Sequence, residues 1–317
     1  MSRPVDDNLE FSPRDVVFMG WVGDEDPTYK GLETALQYML ESGRRGYVGF
    51  GSDIGGYRSG SGPLGRTKEL FLRWTAVGAM SSFMENGGGG EHLPWKFDNE
   101  TTDIYRSWVN EHYRIVPYLY SEGTKVALGH NGSLMQPCDD IPAIGSRSYF
   151  LGPNIFVVPL VEDPAPGLRK RVWLPRSSTK QWINFFNTSI VHKSDSYVEE
   201  DASRLDRIPI YMEHNSLIPM YDLEKSESLT AFRFVLWGDA IVNEKETTLF
   251  TRDGQRWLLK FDRAQQQLQV HFVEQYDATQ HENWIWTFCQ YVHGRELCSK
   301  QWLKLNDKAL IRLESMI

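Results

Sequence analysis

Apolar positions in the first 129 residues form two kinds of pattern that alternate along the chain. VVFMGW (16–21) and YVGFG (47–51) are short continuous apolar runs, which are typical of strands buried on both faces. Between them lies a segment with helical periodicity, which predicts a helix that ends near Gly43. Its apolar positions recur at intervals of three and four residues: Leu32, Ala35, Leu36, Met39 and Leu40.

Two further segments have helical periodicity. The stretch over 66–84 predicts a second helix, and its last residues, AMSSFM, are short enough to form a further strand. The apolar face of this helix consists of Leu70, Phe71, Trp74 and Val77. The stretch over 101–123 predicts the last long helix, with Thr102 or Asp103 as its N-cap.

Polar, glycine-rich segments follow the strands of this region. They are GDED (23–26), GSDIGGYRSGSGPLG (51–65) and ENGGGGEHLPW (85–95). Repeated strand–helix units predict parallel strands with right-handed crossovers, and in such folds the loops after the strands bind the ligand. The sequence therefore predicts a ligand site built from these three segments.

The pattern changes to short strands from about residue 133. Six runs separated by Pro, Gly, Asp and Ser are typical of an antiparallel sandwich: SLMQPC, NIFVVPLVE, KRVWLP, QWINFF, IPIYM and SLIPM. A second strand series begins after residue 223, and Asp253-Gly254 between two apolar runs predicts a hairpin. The predicted fold class is therefore α/β plus all-β, with an α/β domain over 1–129 and β modules over 130–222 and 223–317.

Composition excludes several classes of function. The net charge of −8 disfavours nucleic acid or an acidic membrane surface as a partner. No apolar run approaches the roughly 20 residues that a membrane span needs. Cys138, Cys289 and Cys298 fit neither a disulfide framework nor a zinc site, and they are predicted to be buried or free thiols. Aromatic residues make up 13% of the chain, and such residues serve either a core or a sugar site.

Each candidate for chemistry has a simpler alternative. Asp24 follows Trp21 by three residues at a strand end, and isolated acids after strands are commonly solvated. GSDIGGY and GGGG lack the patterns of dinucleotide and phosphate loops, so they also fit plain turns, and a lone histidine such as His92 is usually structural. No HExxH, CxxC or GxSxG occurs. Glycoside chemistry without a metal or cofactor is the best chemical fit to acids, aromatics and glycines after parallel strands.

The order of several motifs resembles glycoside hydrolase family 31, which contains α-glucosidases and α-xylosidases. The motifs are SRPVD, FMGWVGDEDPT, GFGSDIGGYR, ELFLRW with GAMSSFMENGG, PWKFD, VPYLYS, FLGPNIFVVPLV and KRVWLP. The resemblance spans roughly residues 1–220, and 223–317 is similar only loosely to the family's last β domain. It implies the C-terminal half of a (β/α)8 barrel, about four βα units, followed by proximal and distal β-sandwich domains.

The resemblance also implies roles for individual residues. Members hydrolyse by retention through two carboxylates, one a nucleophile and the other an acid/base. Asp24 in WVGD matches the acid/base. The residues expected to bind the sugar by motif are Arg3, Trp21, Asp53 and Tyr57.

Two features depart from the family pattern. Many members carry an arginine and a histidine after the last barrel strand, where this chain reads MENGGGGEH. Glu85, Asn86 and His92 are therefore expected to contact the sugar there. The family's nucleophile, an aspartate in a W-x-D-M-N-E-like stretch, belongs ahead of the position where this chain starts and is not found in 1–317. The chain is expected to be the C-terminal portion of a longer enzyme.

The resulting prediction is a retaining α-glycosidase fragment that binds an α-linked glycoside, carries the acid/base and is inactive alone. A non-catalytic carbohydrate-binding or scaffold homologue is the alternative. A further interpretation is association with a separate chain that carries the first half-barrel. The preferred sugar and the compartment stay open.

Overall fold

The computed structural model describes residues 13–14, 19–129, 132–139, 147–223, 231–238, 244–262, 264, 267–275, 284–292, 295–303 and 309–312. The elements of its first half are β1 (Met19–Trp21), α1 (Tyr29–Arg44), β2 (Gly49–Gly51), α2 (Lys68–Ala79), α3 (Pro94–Phe97), α4 (Asn99–Ala127), β3 (Met135–Pro137), β4 (Tyr149–Leu151) and β5 (Ile155–Val157). The strands that follow are β6 (Arg169–Leu174), β7 (Gln181–Asn184), β8 (Val191–Lys193), β9 (Ser196–Asp201), β10 (Ile210–Glu213), β11 (Ser216–Tyr221), β12 (Ala231–Trp237), β13 (Glu244–Phe250), β14 (Gln255–Asp262), β15 (Gln267–Gln275), β16 (Trp284–Val292), β17 (Arg295–Leu303) and β18 (Ala309–Arg312).

The chain forms two compact units. The first comprises Met1–His112, Lys125–Pro175 and Asp195–Ile210. The second comprises Tyr113–Thr124, Arg176–Ser194 and Tyr211–Ile317. The division into 1–129, 130–222 and 223–317 stays a prediction. Within the described part of the chain, no helix is both long enough and apolar enough to cross a membrane.

Parallel strands carry the α/β part of the first unit. β1 pairs with β2 in parallel, with Trp21 opposite Gly51. The parallel arrangement extends past β2, because Asp53 forms an isolated parallel bridge with Glu85. The predicted parallel strands are therefore confirmed at 19–21 and 49–51. Residues 16–18 of the first predicted run lie outside the described residues.

Helix α1 packs against β2, and its apolar face is buried as its sequence pattern predicts. The Thr28 hydroxyl caps it by accepting a hydrogen bond from the Gly31 N–H at 2.9 Å. All five residues of the predicted apolar face are buried: Leu32, Ala35, Leu36, Met39 and Leu40. The helix ends at Arg44, one residue beyond Gly43, so the predicted helix is confirmed.

Helix α2 is buried on every side over its last ten residues, 70–79, rather than on one face alone. Its buried Arg73 guanidinium donates to the carbonyl oxygens of Arg204, at 2.8 Å, and Ala202. The strand predicted at AMSSFM is wrong, because the chain bends there. The Ser81 hydroxyl oxygen lies 2.8 Å from the carbonyl oxygens of both Gly78 and Phe83, and a local hydrogen bond to either favours a turn over a ladder.

Helix α4 begins earlier than its sequence pattern predicts. Asp98 is its cap: Oδ1 accepts hydrogen bonds from the N–H and the hydroxyl of Thr101, each at 2.7 Å. The bond from Lys68, followed by those from Thr101, lowers the pKa of Asp98 to about 2. The prediction of Thr102 or Asp103 as the cap is wrong because the helix starts at Asn99.

The remaining strands of the first unit pair antiparallel in two groups. β3, β4 and β5 pair in that order, and β6 pairs with β9. Leu134, Leu151, Ile155 and Val157, in or beside the first group, are buried. These pairs agree with the predicted change to antiparallel strands after residue 133.

The second unit is dominated by two four-stranded sheets. Their strand orders are β11-β12-β16-β17 and β13-β14-β15-β18. Both sheets contribute to one apolar core: Leu217, Tyr221, Phe232, Phe234, Leu236, Leu249, Trp257, Leu259, Phe261, Leu268, Val270 and Phe288. A shared core between two sheets is a β-sandwich. Within these two sheets, β12 and β16 pair in parallel, although an antiparallel sandwich was predicted.

A hairpin and two cysteines of the second unit were subjects of sequence predictions. The predicted hairpin at Asp253-Gly254 is confirmed, because β13 and β14 pair antiparallel around it and Gly254 has a φ of 75°. Cys289 and Cys298 lie opposite each other in the β16–β17 pair and form a disulfide. The prediction of free thiols is wrong for this pair, because hairpin register makes neighbours of residues nine apart. Cys138 is a buried thiol outside the disulfide, as predicted.

Candidate active site

Three acidic residues meet at one edge of the parallel strands. Asp24 follows β1 by three residues, and Asp53 follows β2 by two. Glu85 is the bridge partner of Asp53, and the Ile54 N–H donates to the Glu85 carbonyl oxygen at 3.1 Å. The carboxyl ends of parallel strands lie on the same edge, where α/β folds bind their ligands.

Two aromatic side chains line this edge. The Trp21 indole N–H donates a hydrogen bond to Oδ2 of Asp53. The ring of Tyr57 meets that of Trp21 edge-on, with 6.4 Å between centroids and 68° between planes. Tyr57 is 43% exposed, so it offers an accessible aromatic face beside the acids.

Asp53 is the most strongly perturbed acid of the group. Burial, with a smaller contribution from the charges of Glu85 and Asp24, raises the pKa of its carboxyl to about 6. The bond from Trp21 opposes these effects, because it stabilises the ionised form. Burial also raises the pKa of Glu85. The edge therefore carries carboxyl groups that exchange protons closer to neutrality than ordinary surface acids do.

The glycine-rich segment 86–92 folds over its own polar side chains. The Asn86 amide donates to the His92 carbonyl oxygen at 3.0 Å and to the Tyr105 hydroxyl at 3.1 Å. Its Oδ1 lies 3.0 Å from Nδ1 of His92, and Nε2 of His92 lies 3.0 Å from the Gly89 carbonyl oxygen. Burial, followed by the charge of Arg66, lowers the pKa of His92.

One glycine of this segment is required by close backbone approach. Gly88 has a φ of 124°, and a Cβ there would lie 2.6 Å from the Tyr57 carbonyl oxygen. Gly89 donates its N–H to that same oxygen. The segment is thereby attached to the backbone beside the exposed Tyr57 ring.

Arg66 is a buried residue of this region that sequence analysis missed. Its guanidinium donates to carbonyl oxygens of Gly89, Glu91 and Arg58. Nothing in the local pattern distinguishes it, because it stands in a polar run directly before the cap of α2. Its contacts with residues 23 to 26 positions further along depend on the tertiary fold.

Seven of the eight predicted site residues lie in this region: Trp21, Asp24, Asp53, Tyr57, Glu85, Asn86 and His92. Arg3 lies outside the described residues. The roles assigned to these residues remain predictions. The arrangement offers proton exchange, hydrogen-bond acceptors and an aromatic face, which suits a polyhydroxylated ring.

A potential metal-ligand cluster lies elsewhere. Among the described residues, Cys289, Glu296 and Cys298 place their donor atoms within 4.8 Å of one another. The two cysteine sulfurs are joined in the disulfide, so they are not thiolate ligands.

Two family profiles match the chain in succession. Residues 15–122 match the family described as "Glycosyl hydrolases family 31 TIM-barrel domain". Residues 134–218 match the "Glycosyl hydrolase family 31 C-terminal domain". These matches confirm the family inferred from the motifs and the fold class of a partial barrel with β-sandwich domains.

Curated relatives share this similarity over part of their length. An α-xylosidase of Emericella nidulans is 28% identical over 221 residues, which cover 65% of this chain and 27% of the relative. The α-xylosidase XylQ of Lactiplantibacillus pentosus is 29% identical over 59% of this chain and 24% of its own length. The chain thus spans about a quarter of the length of these relatives.

Solved structures share the fold at lower identity. A family 31 α-xylosidase from Xanthomonas citri superposes with a TM-score of 0.71 at 16% identity, over 93% of this chain and 35% of its own. A family 31 dextranase of Flavobacterium johnsoniae, solved in complex with glucose, superposes with a TM-score of 0.67 at 21% identity. That superposition covers 85% of this chain and 36% of the dextranase chain.

Proposed function

This chain belongs to glycoside hydrolase family 31, and we propose that it supplies the sugar pocket and the acid/base of a retaining α-glycosidase. The substrate class is an α-linked glycoside of glucose or xylose, since relatives named α-glucosidase and α-xylosidase both align with this chain. The whole enzyme hydrolyses the glycosidic bond, and residues 1–317 contribute one part of that site.

The observation that carries this proposal is the convergence of Trp21, Asp24 and Asp53 at the carboxyl ends of β1 and β2. Trp21 donates to Asp53, and the charge of Asp24 is close enough to raise the pKa of Asp53. An aromatic side chain beside carboxyl groups suits a sugar ring, because the ring packs its C–H face on the aromatic plane and offers hydroxyls to acceptors.

Asp24 is proposed as the acid/base. It gives its proton to the leaving oxygen as the glycosidic bond breaks, and it then takes a proton from the water that releases the sugar. Asp24 is half-buried in a short loop after a strand, so it can reach both substrate and solvent.

The remaining residues are proposed to bind the sugar. Asp53 accepts hydrogen bonds from ring hydroxyls, and Tyr57 offers its exposed ring beside Trp21. Glu85 contacts the sugar from the strand end, and Asn86 and His92 contact it from the glycine-rich segment. Arg3 has the same proposed role by motif alone.

The nucleophile is proposed to come from outside residues 1–317. In a retaining enzyme this carboxylate stands about 5–5.5 Å from the acid/base and forms a covalent bond with the sugar. By motif it belongs to a part of family members that this chain does not cover, either in a longer protein or in a second chain. Residues 1–317 alone are then expected to bind sugar without turning it over.

Sugar titration of the 317-residue chain tests the pocket. Glucose and xylose are expected to shift the NMR signal of the Trp21 indole N–H, and Trp21→Phe removes that signal and weakens binding. Trp173→Phe, at a tryptophan of the β6–β9 pair outside these segments, is the matched control and retains affinity. Absence of any sugar-dependent shift contradicts the pocket. Binding by a longer protein that has no hydrolytic activity supports the non-catalytic alternative.

A further inference from the structure

Arg66 lies at the centre of the glycine-rich segment, although it is distant from that segment in sequence. It is 6% exposed, and its Nη2 donates to the Gly89 carbonyl oxygen at 2.5 Å and to the Arg58 carbonyl oxygen at 3.3 Å. Its Nη1 donates to the Glu91 carbonyl oxygen at 3.1 Å. One guanidinium therefore joins two backbone segments that flank the candidate pocket.

The same guanidinium faces the imidazole of His92. Nη1 lies 2.8 Å from Nδ1 and 2.7 Å from Nε2 of His92. Arginine has donors and no acceptor, so a ring nitrogen at this distance interacts favourably only through its lone pair. A doubly protonated imidazole has no such lone pair. Because Nη1 is close to both ring nitrogens, the contact does not single out one acceptor nitrogen, but the positive charge of Arg66 disfavours a second positive charge on the ring.

The other partners of His92 are hydrogen-bond acceptors, which favour an N–H on each ring nitrogen. Nδ1 lies near Oδ1 of Asn86, and Nε2 lies near the Gly89 carbonyl oxygen, each at 3.0 Å. A ring with one proton donates to only one of these two oxygens. The charged groups that act on His92 are Arg66, which disfavours the cation, and Glu91, which favours it. Burial is the largest effect on His92 and, together with the charge of Arg66, lowers its pKa.

We propose that Arg66 is a positioning residue that fixes the glycine-rich segment and orients Asn86 and His92 for sugar recognition. It acts through His92 and the backbone of 89–91 and does not itself touch the sugar. This role rests on the proposed sugar pocket, but its structural part is measurable without any sugar. Arg66 holds the glycine-rich segment in one arrangement, which limits the entropy that the segment would lose when sugar binds.

Two substitutions separate the charge of Arg66 from its planar geometry. Arg66→Lys keeps the positive charge but cannot reach three carbonyl oxygens at once. Arg66→Gln removes the charge and retains part of the hydrogen bonding. Arg58→Gln is the matched control, because that arginine is exposed and pairs with Asp26 at 3.2 Å.

The first measurement is the NMR titration of His92 without sugar. Arg66→Gln is expected to raise the pKa of His92, and Arg66→Lys and Arg58→Gln are expected to leave it low. Amide exchange at Gly89 and Glu91 is expected to accelerate in both Arg66 variants, by about tenfold for each 1.4 kcal/mol of lost local stability. Slow exchange at Leu36 in α1 verifies that the variants are folded. An unchanged His92 titration in Arg66→Gln overturns the proposal.

The second measurement is sugar affinity in a double-mutant cycle. Arg66→Gln is expected to weaken binding about tenfold, and to have a smaller effect when His92→Ala is already present. Equal effects in both backgrounds overturn the claim that Arg66 acts through His92. A wild-type chain that binds no sugar contradicts the proposed pocket, and the titration and exchange results then still decide whether Arg66 positions the segment.

Discussion

The indole N–H of Trp21 donates a hydrogen bond to Oδ2 of Asp53, which joins the ends of the parallel strands β1 and β2. Asp53 is 5% exposed, and Glu85 and Asp24 place further negative charge near it. The indole supplies a donor to a carboxylate that burial would otherwise keep protonated. The bond therefore favours the ionised form, in opposition to the effect of burial.

This environment predicts a pH-dependent stability. The pKa of Asp53 is raised to about 6 from an ordinary value of 3.8, so the folded chain binds this proton more tightly than the unfolded chain does. The contribution of Asp53 to folding stability is therefore greatest below pH 3.8 and falls as the pH rises through about 6. Asp53→Asn removes the ionisation and keeps an oxygen that accepts from Trp21.

The Asn variant is expected to be more stable than the wild type by roughly 1–3 kcal/mol near pH 7.5, and equally stable near pH 4. Urea unfolding at both values measures the difference. Asp103→Asn, at an exposed site on α4, is the control and shows no such pH dependence. The same stability difference at both pH values is the result that contradicts the assignment.

Gly88 and Gly87 provide a matched pair for the glycine-rich segment. A Cβ at Gly88 meets the backbone of Tyr57 and the φ of 124° is strained for other residues, whereas a Cβ at Gly87 has no atom within 4 Å. Gly88→Ala is expected to lower stability by about 1–3 kcal/mol and to weaken sugar binding. Gly87→Ala is expected to change stability by less than about 0.5 kcal/mol. Equal effects of the two substitutions in thermal unfolding would show that the segment is not held against Tyr57.

The disulfide between Cys289 and Cys298 is expected to stabilise the second unit. It closes a short loop, for which chain entropy predicts a contribution of about 2–3 kcal/mol. The double substitution Cys289→Ser with Cys298→Ser should lower the unfolding free energy by that amount. A reductant should lower the wild type to the same value and leave the variant unchanged. A wild type that is insensitive to reductant contradicts the prediction.

Local pattern was sufficient for much of the fold. The apolar spacing of α1 predicts its buried face, because a helix brings residues three and four apart onto one side. Asp253-Gly254 predicts its hairpin, because such pairs adopt the positive φ that a tight turn needs. The grouping of Trp21, Asp24 and Asp53 follows from strand ends alone, since parallel strands present their carboxyl ends on one edge.

Other features depend on contacts that no local pattern contains. Arg66 meets His92 only because two loops after different strands fold together. The Cys289–Cys298 pair depends on the register of β16 and β17, and a shift of one residue would turn the cysteines to opposite faces. Asp98, rather than Thr102 or Asp103, caps α4, because it accepts two hydrogen bonds from Thr101 and the helix therefore begins earlier than predicted.

The most direct measurement compares leaving groups in the whole protein that contains these residues. Asp24→Ala is expected to lose roughly 10²–10⁴-fold in kcat/KM on natural α-glycosides, whose leaving oxygen needs a proton. It should retain most activity on activated aryl α-glycosides, whose leaving group departs without one. Asp26→Ala, at an exposed acid two residues on, should leave both activities near wild type. An equal loss on both substrate classes in Asp24→Ala would contradict Asp24 as the acid/base.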